Sequence, residues 1–92
     1  MGGAPTLEKS DSLRRELSKS RMKRLNIVGP QVRRIRNSLA WSQADLAIKL
    51  QCAGWDISRV GVAKIEMQRR RVRDVNLTQL AQVLGVGVVA LF

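Results

Sequence analysis

Apolar residues recur at helical spacing in four successive segments of the chain. In the first segment, Val32, Ile35 and Leu39 fall on one side of a predicted helix over about residues 30–40. Pro30 suits the first turn of this helix, where no backbone N–H is needed. Three later segments show the same spacing, so the pattern predicts a chain built mainly from short amphipathic helices.

The second segment has the clearest helix start in the chain. Ser42 is a strong N-cap, and Asp45 three residues later can return the hydrogen bond as a capping box. Trp41 before the cap and Leu46 after it occupy the positions of a hydrophobic staple. The predicted apolar stripe of this helix is Leu46, Ala47, Leu50 and Ala53. Gly54 then ends the helix.

The third segment repeats these signals. Ser58 is the predicted N-cap, and Val62 and Ile65 form the inward-facing positions. Arg59 and Lys64 fall outside that stripe. Helical spacing therefore separates residues that pack from residues that are free to contact a partner.

The rest of the chain predicts one further helix and a short apolar end. Asp74 can cap the fourth helix, and Gly85 stops it. Its apolar positions are Leu77, Leu80, Ala81 and Leu84. Residues 86–92 are apolar, and we expect them to form a last helical turn with Phe92 closing the core. No strand is predicted, so the expected fold class is all-α.

Charge narrows the range of partners. The chain has 92 residues with 17 Lys and Arg against 7 acids, a net charge of +10. Such a charge attracts polyanions, of which nucleic acid is the commonest and an anionic membrane surface the rival. No apolar run approaches the roughly 20 residues that span a bilayer. We therefore expect a nucleic-acid partner, no membrane partner and a cytoplasmic protein.

The sequence offers little material for catalysis or metal binding. It has no His and a single cysteine, Cys52, so neither an internal disulfide nor a zinc site is expected. No nucleophile–base pair stands out. We predict no enzyme activity, no catalytic residue, no metal and no cofactor. Cys52 lies beside the apolar stripe, where we expect a buried or half-buried thiol.

The chain divides by composition into two parts. Residues 1–24 carry 7 cations and 3 acids with few large aliphatic residues, which is typical of a disordered tail. We expect residues 1–26 to be a basic, flexible arm and residues 27–92 to be the folded domain. A sharper interpretation is an arm that follows DNA phosphates or enters a minor groove.

Taken in order, these motifs match a known pattern. The matching elements are Ile35-Arg36, Ser42-Gln43-Ala44-Asp45-Leu46-Ala47, Ile57-Ser58, Lys64-Ile65-Glu66, Leu77, Leu80-Ala81, Leu84-Gly85-Val86 and Leu91-Phe92. From about residue 29 to residue 92, the chain resembles the phage-repressor-like helix-turn-helix family (Cro/cI, also called XRE). Each element alone is weak, and the ordered combination is specific.

The resemblance implies a compact, lambda-repressor-like bundle of about five short helices that contains a helix-turn-helix and binds operator DNA, often as a dimer. It implies that Gln43 donates a hydrogen bond to a phosphate. It further implies that Arg59, Val60 and Lys64 face base edges in the major groove. Residues Arg36 and Glu66 match an interhelical ion pair of relatives, with a structural role.

The chain departs from the family pattern in three places. The stretch from Ala47 to Ser58 is about one helical turn longer than usual. Val60 and Gly61 stand where polar residues are common. The loop after Glu66 lacks the usual glycine and is rich in arginine.

Further contacts follow from charge and helix geometry. The cluster Arg69, Arg70 and Arg71 comes directly after the third helix, where we expect it to bind phosphates. The helix starts at Ser42 and Ser58 present backbone N–H groups that can hold phosphates as well. Trp41 and Trp55 flank helix ends, and we expect them to pack against the core.

The combined expectation is a sequence-specific regulator of transcription, most simply a repressor. Because one half-site discriminates weakly, we expect a homodimer on a pseudo-palindrome, with residues 86–92 as the candidate interface. One alternative is an antitoxin that represses its own operon and binds a toxin through its arm. Another is a protein-interaction module that keeps the fold without base readout. RNA binding is disfavoured because stacking aromatic residues are scarce.

Overall fold

The computed structural model describes residues 23–92, which form four α-helices and one 3-10 helix. They are α1 (Gly29–Ser38), α2 (Gln43–Cys52), α3 (Arg59–Glu66), α4 (Asp74–Leu84) and the 3-10 helix Val88–Leu91. No strand occurs in this part of the chain, so the all-α prediction is confirmed. The expected count of five helices is corrected to four α-helices, because the last segment winds as a single 3-10 turn.

One apolar core joins all five elements. Helix α2 packs on α3 and α4, while α1 packs on α3, α4 and the 3-10 helix. The buried side chains are Val28, Val32, Ile35, Leu46, Ala47, Leu50, Ile57, Val62, Ile65, Leu80, Ala81, Leu84 and Leu91. Trp41 and Trp55 are half-buried against this core, as expected of packing anchors. Residues 1–22 of the predicted arm (residues 1–26) lie outside the described residues. No helix among residues 23–92 is long and apolar enough to cross a membrane.

The predictions of buried apolar residues are wrong at the ends of helices. Leu39 and Ala53 are exposed because each is a C-cap, beyond the last helical turn. Cys52, the last residue of α2, is exposed rather than buried. At the chain end, Leu91 is fully buried and Phe92 is 56% exposed. A 3-10 helix turns about 120° per residue, so only one of these neighbours can face the core.

Helix starts also differ by one residue from two predictions. Helix α1 begins at Gly29 rather than at residue 30, with Val28 as its N-cap, and the N-cap of α4 is Arg73 rather than Asp74. Neither start has a side-chain cap hydrogen bond on its own N-cap residue. The predicted caps of α2 and α3, Ser42 and Ser58, are confirmed.

All four α-helices end in the same pair of backbone hydrogen bonds, the Schellman arrangement, which needs one left-handed residue just past the helix. The longer-range bond of each pair runs from Trp41 N to Arg36 O, from Trp55 N to Leu50 O, from Arg69 N to Lys64 O and from Val86 N to Ala81 O, at 2.8 to 3.1 Å. The left-handed residue is Gly54 (φ 97°) after α2 and Gly85 (φ 73°) after α4. After α1 and α3 it is Ala40 (φ 59°) and Gln68 (φ 62°). Gln68 thus fills the position where the arginine-rich loop lacks a glycine.

The left-handed backbone of Ala40 predicts that Ala40→Gly stabilises the protein. Glycine removes a conformational penalty of about 1 kcal/mol at this exposed residue. Denaturant unfolding should show a higher free energy of unfolding for this variant. The matched control is Ala63→Gly inside α3, which should lower the free energy of unfolding by about 1 kcal/mol. A destabilised Ala40→Gly variant would contradict this account of the α1 end.

Candidate nucleic-acid interface

Helix α3 has one buried face and one cationic, exposed face. Val62 and Ile65 are each 1% exposed, and they pack in the core. The opposite face carries Arg59, Val60 and Lys64, all exposed, with Val60 at 51%. No carboxylate lies on this face, because the single acid of α3 is buried. The exposed face therefore offers two cations and a small apolar side chain to a partner.

The position of α3 depends on a buried ion pair between helices. Arg36 of α1 donates from Nε to Glu66 Oε2 at 2.6 Å and from Nη2 to Glu66 Oε1 at 2.9 Å. Their side chains are 9% and 2% exposed. Arg36 Nη1 also donates to the Trp41 carbonyl oxygen at 2.6 Å. The structure thus brings Arg36 and Glu66 together as a two-point contact, the strongest geometry for such a pair.

The electrostatic balance at this pair favours the charged guanidinium. The hydrogen bond to Glu66 raises the pKa of Arg36, burial opposes that shift, and the charge of Glu66 reinforces it. A raised pKa means that the stabilising contribution is complete below the ordinary arginine value and is lost only above it. Arg36 therefore stays charged at every pH at which the protein is handled.

Gln43 joins the same network, which sequence reasoning missed. Its Nε2 donates to Glu66 Oε1 at 3.1 Å, so one carboxylate connects α1, α2 and α3. We expected the Gln43 amide to donate to a phosphate. In the structure this half-buried side chain holds the start of α2 against the end of α3, and the phosphate contact stays a prediction.

Ser42 and Ser58 both act as caps and both remain exposed. Ser42 Oγ accepts from Asp45 N at 3.0 Å, and Asp45 Oδ2 accepts from Ser42 N at 2.8 Å. Ser58 Oγ accepts from Gly61 N at 3.2 Å. The hydrogen bond from the Ser42 backbone lowers the pKa of Asp45, with the Ser42 side chain contributing next. The Asp45 contribution to stability is therefore present above the ordinary aspartate pKa and is lost as pH falls through the lowered value.

The connection between α2 and α3 is long, but packing and a hydrogen bond hold it in place. It runs from Ala53 to Ser58, with Gly54 in the left-handed region. Gln51 Nε2 donates to the Ile57 carbonyl oxygen at 2.8 Å, and Ile57 is buried. The connection is therefore held by the buried Ile57 side chain and by a hydrogen bond from α2 to the turn.

The three arginines of the cluster after α3 are not equivalent. Arg69 and Arg71 are exposed, whereas Arg70 is half-buried. The Arg70 guanidinium carbon lies 5.9 Å from the centre of the Trp55 ring. An added Cβ on Gly61 would lie 2.7 Å from Arg70 Nη1. Arg70 is thus packed between Trp55 and α3, close to Gly61.

Asn26, just before α1, is a structural residue that sequence reasoning missed. Its Nδ2 donates to the carbonyl oxygens of Ile65 (3.1 Å) and Arg70 (2.7 Å), and its Oδ1 accepts from Gly29 N at 2.8 Å. Gln68 Nε2 donates to the Asn26 carbonyl oxygen at 3.1 Å. An asparagine three residues before a Gly-Pro helix start is a recognisable capping signal. Asn26 positions the arginine cluster relative to α1.

Comparisons of this chain with models of protein families, with curated proteins and with solved structures give no match. Within residues 23–92, no group of three His, Cys, Asp or Glu side chains could hold a metal ion.

The buried pair predicts a large cost for removing one partner alone. Glu66→Ala should lower the free energy of unfolding by about 3–5 kcal/mol, because it leaves the Arg36 charge buried without its counter-ion. The double variant Arg36→Met/Glu66→Leu should recover most of that loss, since no buried charge remains. Denaturant unfolding measures both effects.

Arg34→Ala is the control for this comparison. It removes an exposed arginine from the same helix and should change stability by less than about 0.5 kcal/mol. A double variant no more stable than Glu66→Ala would show that the carboxylate matters for more than neutralising Arg36.

The packing at Gly61 predicts that Gly61→Ala destabilises the protein although alanine favours helices. The new Cβ would lie 2.6 Å from Ile57 Cγ1, and buried Ile57 cannot move away. Overpacking costs about 1–3 kcal/mol, which outweighs the roughly 1 kcal/mol gained in helix propensity. Thermal unfolding should show a lower Tm. Gly87→Ala, where nothing lies within 4 Å of the new atom, should leave Tm nearly unchanged.

Proposed function

We propose that this protein is a sequence-specific double-stranded DNA-binding regulator in which α2 and α3 act as a helix-turn-helix. The observation that carries the proposal is the two-sided character of α3. Its inner face is fixed by the core and by the Glu66 network, while its outer face presents Arg59, Val60 and Lys64 without a competing carboxylate. A rigid helix with an exposed cationic flank suits insertion into a major groove.

The chemistry of the outer face supports base readout. Arg59 lies in the first turn of α3 and has the fork of donors that pairs with guanine O6 and N7. Val60 is apolar and exposed, which suits contact with a thymine methyl group. Lys64 lies one turn further along the same face and serves bases or phosphates.

The surroundings of α3 support phosphate binding. Arg69 and Arg71 are exposed directly after the helix. Each phosphate that they neutralise steepens the dependence of log affinity on log salt by about 0.9. The exposed helix starts at Ser42 and Ser58 add backbone dipoles that favour anions. We propose that these groups set the register and that α3 selects the sequence.

Two-fold assembly would complete the proposed function. One half-site gives little discrimination, since each mismatch costs only about 1–3 kcal/mol. The exposed apolar residues Val89 and Phe92 of the C-terminal segment suit a homodimer contact. We propose repression by occupancy of a pseudo-palindromic operator.

A second candidate is a protein-interaction module that keeps this fold without base readout. It is favoured by Val60 and Met67, which expose apolar surface on and just after α3. Direct binding to DNA separates the two functions.

The division of roles predicts different effects for two arginine variants. After selection of a preferred site from randomised duplexes, Arg59→Ala should lower affinity for that site by about 1–3 kcal/mol and relax the preference at one base position. Arg71→Ala should weaken binding to all sequences alike and reduce the salt slope by about 0.9. Fluorescence anisotropy at several salt concentrations measures both.

Arg34→Ala serves as a charge-matched control, since it removes the same charge from α1 and should leave the base preference unchanged. If Arg59→Ala and Arg71→Ala behave identically, the division into base and phosphate contacts is wrong. If the wild-type protein selects no sequence, the interaction module is favoured instead.

A further inference from the structure

A cleft lies beside the arginine cluster, and most of its lining residues are not among the proposed DNA contacts. It lies between the segment before α1, the α2–α3 connection and the start of α4. Its charged and apolar lining residues are Leu25, Trp55, Arg70, Arg71, Arg73 and Val75. This Trp55 cleft has a volume of about 610 Å³, within the range of roughly 300–1,000 Å³ that is typical of small-molecule sites.

The Trp55 cleft is cationic on one side and apolar on the other. Three of its lining residues are arginines, and its remaining lining residue, Asn76, is an amide, so no carboxylate lines it. Within residues 23–92 the one ion pair is that between Arg36 and Glu66, so no described acid forms an ion pair with these arginines. Leu25, Val75 and the Trp55 ring form the uncharged part of the lining.

The backbone beside the cleft and one of its arginines are held in place by specific contacts. Asn26 holds the Arg70 carbonyl oxygen at 2.7 Å, and Leu25 N donates to the Gln68 carbonyl oxygen at 3.0 Å. The Arg70 guanidinium is held over Trp55 by the cation–π contact described above. Ordering of these groups before binding reduces the entropy that a ligand would have to overcome.

We propose that the Trp55 cleft binds a small phosphorylated ring compound of the nucleoside monophosphate class, and that this ligand competes with DNA. Arginine forks match the oxygens of a phosphate in bidentate fashion. The apolar wall and the tryptophan suit an uncharged ring next to that phosphate.

Competition follows from a shared cation. Arg71 lines the cleft and is also one of the phosphate contacts that we propose for DNA. A ligand phosphate that engages Arg71 withdraws its charge from the DNA backbone. By linkage, ligand and DNA then weaken each other by the same factor. The competition with DNA rests on the proposed function, whereas ligand binding in the cleft does not.

Tryptophan fluorescence tests the cleft without DNA. The chain has two tryptophans, so Trp41→Phe leaves Trp55 as the only indole reporter. Titration with adenosine 5′-monophosphate at constant ionic strength should change Trp55 emission saturably. Inorganic phosphate alone and adenosine alone should change the Trp55 emission only at higher concentrations. Phosphate can contact only the arginines of the cleft, and adenosine only its apolar residues. If Trp41→Phe does not fold, the same titration of the wild-type chain replaces it.

Arginine variants locate the effect. Arg71→Ala and Arg73→Ala should each raise the midpoint of the titration about tenfold or more, the loss expected for a hydrogen bond to a charged group. Arg34→Ala on α1 should leave it unchanged. No saturable change up to about 10 mM adenosine monophosphate, or equal weakening by Arg34→Ala, would overturn the site. A response to polyglutamate in place of the nucleotide would also overturn it, in favour of an acidic protein partner.

Anisotropy of a labelled duplex tests competition. Saturating adenosine monophosphate should raise the Kd of the duplex more than sodium chloride of equal ionic strength, which corrects for screening. Nucleotide binding with an unchanged duplex Kd would overturn the competition. If no duplex binds at any salt concentration, the proposed function fails, while the Trp55 titration still decides whether the cleft binds a phosphorylated ring.

Discussion

The carboxylate of Glu66 is the contact on which the arrangement of this fold depends. It accepts two hydrogen bonds from Arg36 and a third from Gln43, so one buried group joins α1, α2 and α3. A charge at this depth is tolerated only with its counter-ion in place. The need for this counter-ion also constrains the geometry, because the guanidinium and the carboxylate meet in only one relative placement of the helices. The outer face of α3 therefore has a defined orientation.

Close packing around α3 then limits which residues are free to serve the proposed DNA interface. Gly29 approaches the carbonyl oxygens at the end of α3, and Gly61 leaves room for Ile57 and the Arg70 guanidinium. Arg70 consequently has a structural role as well as a charge, unlike exposed Arg69 and Arg71. The same packing creates the Trp55 cleft, in which a fixed arginine lies beside an aromatic ring. The proposed DNA surface and the proposed nucleotide site can share residues because both need cations that bind phosphate.

Much of the fold could be predicted because its signals are local. Ser42 and Ser58 cap helices through groups three residues away, and Val62 and Ile65 repeat at helical spacing. Predictions failed where a helix had already ended, as at Leu39, Ala53 and Phe92, since periodicity has no meaning beyond the last turn. The long-range hydrogen bonds of Gln43 and Asn26 were missed because their partners lie 23 and 39 to 44 residues away. Such contacts leave no local pattern.

By itself, the sequence determined the helical class, the caps of α2 and α3, the inward stripe of α3 and an excess of cations after it. These properties follow from hydrogen bonds within a turn, from helical period and from composition. Only the tertiary structure decided that Arg70 is held by Trp55 and Gly61, that Gln43 bonds Glu66, and that three arginines border one cleft. The reason is that these contacts join distant segments, and packing of the whole core determines which side chains meet.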